Sequence, residues 1–414
     1  MNTLVTFLGK GRDDPQTGYR QTVYRFPDGK VTESTAFFGL ALARYLESDS
    51  TVILGTSASQ WDVLVEHLAT VGDDDEARIQ ARIQLIEAVA KGTVDQQLLD
   101  RLAPLLGRSV ARRVIPRLIP FGRDADQQYA ILDAIAAAVP GGSTSIDLTH
   151  GFRHLGMVGF LSAFMLERVR RVTVRDLWYG ANDMARDGVT PVLRLDGLVR
   201  VRRWVEALDR FDATGDYAVF APLLMEDGVA ADKANCLQAA AHYERILNVP
   251  DAGRKIRTFL PVLDGRLPGA SGLFQHKLAA RLQWASHRER WQWQRALAFQ
   301  YLDRRDFVRA AMLAWEAWVS RLCSEQGLPG ESGDETDLNA FSERKEVVEE
   351  FEHELQMGHE PRRGDARGDS HWTLKHLRNA LAHGTRPRTR YRAMLGDADR
   401  LFRELKAALA QLLG

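Results

Sequence analysis

Cysteine is scarce in this chain. There are two in 414 residues, Cys236 and Cys323, far apart in sequence. They make neither a disulfide framework nor a zinc site, a pattern that fits a reducing cytoplasm. Long apolar runs are missing too: the longest, residues 156–166, is too short to cross a bilayer. The opening run Met1-Asn2-Thr3-Leu4-Val5-Thr6-Phe7 has no basic flank and no cleavage site, so no signal peptide is expected. The expectation is a cytoplasmic protein with no membrane partner. No sign of charge dominates, because 55 Lys and Arg balance 55 Asp and Glu. That excludes a generic polyanion binder, and any nucleic-acid site has to be local. Internal repeats and low-complexity tails are also lacking. At 414 residues the chain is too long for one ordinary core, so two domains are expected.

Residues 1–195 alternate short β-rich runs with helical patterns. Strands are expected at 3–8, 51–54, 113–119, 143–148, 171–178 and 191–195. Residues 21–25 and 30–33 flank Pro27-Asp28-Gly29, a turn signal that predicts a small hairpin. Ser34 or Thr35 is placed to cap the helix that follows. Further helices are expected at 60–70, 76–90, 94–105, 124–138 and 153–168. This alternation predicts an α/β domain, its sheet mostly parallel and covered on both faces. Beyond residue 198 the strand signals vanish. Helices are expected at 198–212, 232–247, 271–289, 291–303, 306–326, 343–356, 372–383 and 397–413. Trp284, Trp291, Trp293, Trp315 and Trp318 read as their core, and 327–338 and 358–370 as loops. Residues 196–414 are therefore expected to form an all-α domain, entered through a helical connector at 198–212.

Two stretches carry chemistry. The first is Ile146-Asp147-Leu148-Thr149-His150-Gly151-Phe152-Arg153, a strand, a turn and a helix start. Open α/β sheets bind ligands outside the carboxyl ends of their strands. Backbone N–H groups at the helix start, the Thr149 hydroxyl, His150 and Arg153 all suit phosphate. Gly151 lets a ligand approach the backbone. The bland alternative is a helix capped by Thr149, with His150 merely exposed. Gly9-Lys10-Gly11 and Gly55-Thr56-Ser57 follow the first two central strands and would line the same edge, which adds Gly9, Lys10, Thr56 and Ser57 as ligand-binding candidates. Neither run is a dinucleotide fingerprint or a P-loop, so NAD or ATP is not expected as a cofactor. Small hydroxylated loops with one lysine suit a multi-phosphate ligand. Trp61 either stacks on a base or, the commoner fate of a tryptophan opening an amphipathic helix, is core. His150 and His154 have metal-ligand spacing, but nothing completes the set, so no metal is expected.

The second stretch is Leu374-Lys375-His376-Leu377-Arg378-Asn379-Ala380-Leu381-Ala382-His383-Gly384. An arginine that holds a phosphate and a histidine that moves a proton can cleave RNA without a metal. From His371 to Gly396 there is no Asp or Glu, while Lys375, Arg378, Arg386, Arg388, Arg390 and Arg392 are basic. Arg378 and His383 stand about 140° apart around an ideal helix. They meet on one phosphate only near a helix end or across a dimer. Gly384 is expected at the C′ position, and Pro387 opposes continuation. Asn379 is placed to orient His383 or to bond the phosphate. The bland alternative is a surface helix with both side chains in water.

Together the two stretches resemble a known family. Asp147-Leu148-Thr149-His150-Gly151-Phe152-Arg153 resembles the ligand-loop signature of CARF domains, the Rossmann-like sensors of CRISPR-associated proteins. Arg378-Asn379-Ala380-Leu381-Ala382-His383 resembles the Arg-x-x-x-x-His signature of HEPN ribonucleases. An α/β Rossmann-like half followed by an all-α half looks like the ancillary ribonucleases of type III CRISPR systems. The resemblance implies a homodimer that binds cyclic oligoadenylate, tetra-adenylate favoured over hexa-adenylate, across its paired sensor domains. It implies metal-independent cleavage of single-stranded RNA, giving 2′,3′-cyclic phosphate and 5′-hydroxyl ends. Thr149, His150, Gly151 and Arg153 carry over as ligand-loop residues, and Arg378, Asn379 and His383 as the catalytic motif. Gly9, Lys10, Thr56 and Ser57 carry over by position. Alternatives are a sensor whose helical half binds RNA or a partner without cutting, and a nucleotide-dependent enzyme acting on a small molecule.

Overall fold

The computed structural model describes residues 1–10, 21–68, 76–109, 113–328, 340–357, 366–384 and 389–414. The chain divides into two units, Met1–Val199 and Arg200–Gly414. In the first, β1 (Asn2–Leu8), β2 (Val23–Arg25), β3 (Ser50–Gly55), β4 (Arg113–Leu118), β5 (Ser143–Asp147), β6 (Thr173–Gly180) and β7 (Val189–Arg194) make one sheet. Its order is β2-β7-β6-β5-β1-β3-β4. The strands from β6 to β4 in that order run parallel; β7 is antiparallel to β6 and carries β2 parallel to itself. Helices α1 (Phe38–Tyr45), α2 (Trp61–Leu68), α3 (Glu76–Lys91), α4 (Gln96–Ser109), α5 (Ala125–Ala138) and α6 (Arg153–Val169) cover it.

Central β1 shows why the layers form. Val5 and Phe7 join the core that holds Ile131 and Ile135 of α5 and Leu155 and Leu166 of α6. Leu8 joins another with Trp61 of α2, Leu85 of α3 and Leu99 of α4. A strand buried on both faces reads as a near-continuous apolar run, as residues 3–8 do. Each fully buried Val, Leu or Phe contributes roughly 1.5–3 kcal/mol.

The expected hairpin forms around Pro27-Asp28-Gly29: the Gly29 N–H donates to the Phe26 carbonyl (2.9 Å) and the Phe26 N–H to the Lys30 carbonyl (2.8 Å). Its second arm is irregular: Val31 is 53% exposed, and the antiparallel bridges are Arg25 with Val31 and Thr22 with Thr35. β2 is held also by β7 and by Tyr24 and Phe26, which pack with Phe38 and Trp178. Neither Ser34 nor Thr35 caps α1: Phe37 is its N-cap, and Thr35 Oγ1 accepts from the Phe37 N–H just before it (3.1 Å). The β2 edge is still covered, since Thr32 N–H donates to the Tyr24 carbonyl (2.9 Å) and Thr35 and Thr22 exchange backbone bonds. At the far edge a side chain does the same for β4. The Gln96 amide donates to the Pro116 carbonyl (3.0 Å) and accepts from the Leu118 N–H (2.8 Å).

Helix α7 (Asp196–Thr214) starts in the first unit and continues into the second. There follow α8 (Ala221–Glu226), α9 (Ala231–Arg245), α10 (Val249–Phe259), α11 (Ser271–Leu282), α12 (Arg290–Asp303), α13 (Phe307–Glu325), α14 (Ala340–Met357), α15 (Ala366–His383), α16 (Thr389–Leu395) and α17 (Ala398–Leu413). Among its described residues the second unit has no strand. Trp284, Trp293, Trp315 and Trp318 are buried, as expected of core, and Trp291 packs partly against them. Residues 366–370, expected as loop, are the first turns of α15; 329–338 and 358–365 lie outside the described residues. A polar cluster ties α9, α11 and α12 together. The buried Glu244 carboxylate accepts from Tyr217 OH (2.9 Å), Tyr301 OH (2.6 Å) and Arg281 Nη2 (2.9 Å). Burial, then the Glu244 charge, pushes both phenols well above their ordinary range, so they remain donors.

Candidate ligand loops and candidate catalytic helix

Parallel register places the carboxyl ends of β1, β3 and β5 at one edge of the sheet. The loops that leave them are knitted together. Ser59 Oγ donates to the Leu8 carbonyl (2.7 Å), and the Gln60 N–H donates to the Gly9 carbonyl (3.2 Å). Gly9 lies against the β5 loop: a Cβ there would stand 3.0 Å from the Gly151 nitrogen and 4.0 Å from His150 Cβ. Gly151 has φ +97°, a conformation that a side chain disfavours. Both glycines are therefore required by backbone geometry, and Gly9, Gly151 and His150 share one spot.

The other predicted residues separate into open and enclosed. Lys10, Gly151 and Arg153 are exposed, and Ser57 is partly so. Gly11 lies outside the described residues. Thr56 is buried, with its backbone N–H donating to Ser59 Oγ (2.9 Å); its hydroxyl serves the turn rather than an open surface. Trp61 is fully buried in the core and donates through Nε1 to the Thr56 carbonyl (2.9 Å), so it stacks on no ligand. Gly55 makes room for that ring, since a Cβ would come within 2.5 Å of Trp61 Cζ2.

Thr149 does not cap α6. Its N–H donates to Asp147 Oδ1 (2.9 Å), and its Oγ1 accepts from the N–H of buried Gly180 in β6 (2.7 Å). The N-cap of α6 is Phe152, with no side-chain cap bond. The Leu155 N–H turns back to the Phe152 carbonyl (2.8 Å), so an anion at this helix start would meet the N–H groups of Arg153 and His154, with the Arg153 side chain beside them. Asp147 is buried and accepts from Thr6 Oγ1 (2.7 Å). Burial pushes the Asp147 carboxyl up and the His150 imidazole down, against their mutual attraction. His150 Nε2 is buried with no hydrogen-bond partner in the structure. A neutral imidazole with an unused ring nitrogen is suited to one hydrogen bond to a ligand, not to acting as a fixed cation.

In the second unit, α15 runs unbroken through Arg378 and Asn379 to His383, its last residue. Gly384 follows at φ +60°, as a C′ glycine does. The helix leaves Arg378 and His383 on different faces, so one chain does not aim both at one phosphate. Arg378 Nη1 donates to Asn379 Oδ1 (2.8 Å), and its guanidinium lies over the Trp315 ring (5.4 Å). Asn379 therefore holds Arg378; it was expected to orient His383 or the phosphate. Arg378 Nε is buried without a partner, while His383 is exposed.

The acid-free run is not acid-free in space. Glu352 of α14 pairs with Lys375 and accepts from His371 Nε2 (2.9 Å). His371 Nδ1 accepts from Trp318 Nε1 (3.0 Å), which fixes its tautomer. Burial pushes His371 down. Burial also opposes the Glu352 charge, but the bonds from Lys375 and His371 prevail and hold that carboxyl below its usual range. These supporting residues were missed from sequence; the available signal was His371 in line with Leu374 and Leu377 on the buried stripe. Arg390 and Arg392 are exposed on α16, whereas Arg386 and Arg388 lie outside the described residues. Among the described residues no group of three or more His, Cys, Asp or Glu is placed to hold a metal, and no helix is long and apolar enough to cross a membrane.

No protein-family model matches the chain. Among solved structures, it is similar to Enterococcus italicus Csm6 bound to cyclic hexa-2'-fluoro-hexa-dAMP, at 10% identity and a TM-score of 0.38, covering 100% of this chain and 92% of that one. Among curated proteins, it is 20% identical over 412 residues, 92% of its own length, to a CRISPR-associated protein of Methanocaldococcus jannaschii. The chain spans only 62% of the length of that relative.

Proposed function

We propose that this chain is a ligand-gated, metal-independent endoribonuclease of type III CRISPR antiviral defence. The α/β unit binds cyclic oligoadenylate, tetra-adenylate in preference to hexa-adenylate, and a homodimer presents two such sites to one ring. The observation that carries the reading is the meeting of the Gly9 and Gly151 loops beside an uncapped helix start. Such an edge favours a ligand with several phosphates. Likeness to a CRISPR-associated protein supports the setting.

In the helical unit, the RNA 2′-hydroxyl attacks the adjacent phosphorus and the 5′-oxygen leaves. The products are a 2′,3′-cyclic phosphate and a 5′-hydroxyl. Arg378 stabilises the charge that builds on phosphorus, and His383 moves the proton. Asn379 holds the guanidinium in place. Arg390 and Arg392 add backbone attraction that weakens with salt. Gating follows if the ring binds the cutting-competent arrangement better than the resting one. Helix α7, continuous from one unit into the next, is the transmitter.

A second reading, a sensor that binds RNA without cutting, is favoured by one feature: Arg378 is already engaged by Asn379 and Trp315. One assay separates the two. Labelled single-stranded RNA is incubated in EDTA with and without cyclic tetra- or hexa-adenylate. Ring-dependent cleavage is expected, with a loss of about 100-fold or more in Arg378→Ala and His383→Ala. Cleavage unchanged in both variants overturns the catalytic assignment. RNA binding without cleavage in the unaltered protein establishes the second reading.

A further inference from the structure

With Trp61 in the core, the ligand edge still carries exposed aromatic rings. Phe152, directly after Gly151, is 44% exposed although it is the N-cap of α6. Its ring stacks on His154 (centroids 5.8 Å apart, planes 16° apart) and lies 6.1 Å from Phe121 in the loop after β4. The Arg123 guanidinium covers the other ring, 4.7 Å from the Phe121 centroid. His154 Nε2 donates to the Phe121 carbonyl (2.7 Å), which pins the β4 loop to the start of α6. The cluster is thus a held arrangement of flat groups.

We propose that Phe152, with Phe121, His154 and Arg123, forms a nucleobase-stacking shelf beside the phosphate loops. The inference rests on the sensing reading above and names the part of that ligand which the shelf takes. Stacking on phenyl, imidazole and guanidinium planes is how proteins hold unpaired bases whatever their sequence. Charge agrees: exposed Arg123 lies over Phe121 and exposed Arg153 directly follows Phe152, which favours an occupant with phosphates over an apolar protein face. Position agrees as well. Phe152 is the residue after the turn that approaches the Gly9 loop, so a phosphate at the first turn of α6 puts its own base next to the ring. Phe152 then separates ligands with bases from bare phosphates.

The test titrates the full-length protein with cyclic tetra- and hexa-adenylate carrying one 2-aminopurine. The unaltered protein and Phe152→Tyr are expected to bind with quenched fluorescence, the sign of a stacked base. Phe152→Ala is expected to bind about tenfold more weakly or worse, and to lose the quench. Phe121→Ala gives a second reading should Phe152→Ala lower the ligand-free melting temperature. If the unaltered protein binds neither ring, the sensing reading falls and the shelf with it. If it binds, and both alanine variants bind equally well with full quench, the shelf alone is overturned. A third outcome, in which Phe152→Ala turns dimers into monomers by sedimentation, makes the ring a contact between chains and also overturns the shelf.

Discussion

Thr149 shows how much of a residue's role depends on its neighbours in space. Its side-chain oxygen completes the bonding of β6 by accepting the N–H of Gly180. Thr149→Val keeps the shape and removes that acceptor, leaving a buried N–H unpaired. A loss of about 1–3 kcal/mol in urea unfolding is expected, with Thr149→Ser close to the unaltered protein. Equal stability of the valine variant would show that the bond contributes nothing. At this scale Gly151 was singled out for close ligand approach and Gly9 by position, but their approach to each other was not legible. Thr56 was not legible, since nothing local says that its hydroxyl turns inward. The trace of Trp61 in the core was Gly55, but only the folded packing reveals which ring occupies the missing side chain's space.

Elements with strong periodicity were read well, and those held by distant partners were not. The central strands and α5, α6, α13 and α17 announce themselves by apolar pattern. Helix α10 does not: Gly253 and three cations dilute a narrow stripe of Val249, Ala252, Ile256 and Phe259. The hairpin signal at Pro27-Asp28-Gly29 was legible, but the pairing of β2 with the distant β7 was not. Helix α15 has a consequence of its own for acid stability. His371 titrates below its ordinary 6.5 in the folded chain. As pH falls, the unfolded chain takes up that proton first, so His371 draws stability down from about pH 6.5. Glu352 sits below its ordinary 4.5, and its contribution is lost as pH falls further. Both groups act in the same direction, with Lys375 and His376 adding like charge against a protonated His371. Chemical denaturation from about pH 7.5 to pH 5 is expected to lose stability steadily. His371→Gln should start lower and fall less. A parallel pair of profiles would remove His371 from the acid response.

The whole molecule combines a sheet edge suited to phosphates with a helix whose arginine and histidine face apart. If two chains build each cutting site, as proposed, the geometry makes a quantitative forecast. Arg378→Ala and His383→Ala proteins, each inactive alone, are mixed under conditions that exchange subunits. Half of the dimers then carry one intact Arg–His pair, and cleavage returns to about a quarter of the unaltered level. No recovery after demonstrated exchange rules out a site shared in this way. Division into an α/β half and a helical half was legible because the period of the apolar pattern changes near residue 198. The approach of Glu352 to a run of cations was not, because an acid from α14 leaves no mark on the sequence of α15.

Gln96 has a consequence at this scale. Its amide occupies, on the open side of β4, the donor and acceptor that a neighbouring strand would need, while Thr32 and Thr35 occupy the backbone of β2 at the opposite margin. Gln96 is in effect a guard strand one residue long. These bonds leave less free ladder at the described margins along which copies of this chain could zip into a continuous sheet or fibre. A joint made by side chains on helices and loops can loosen and re-form without unravelling the sheet.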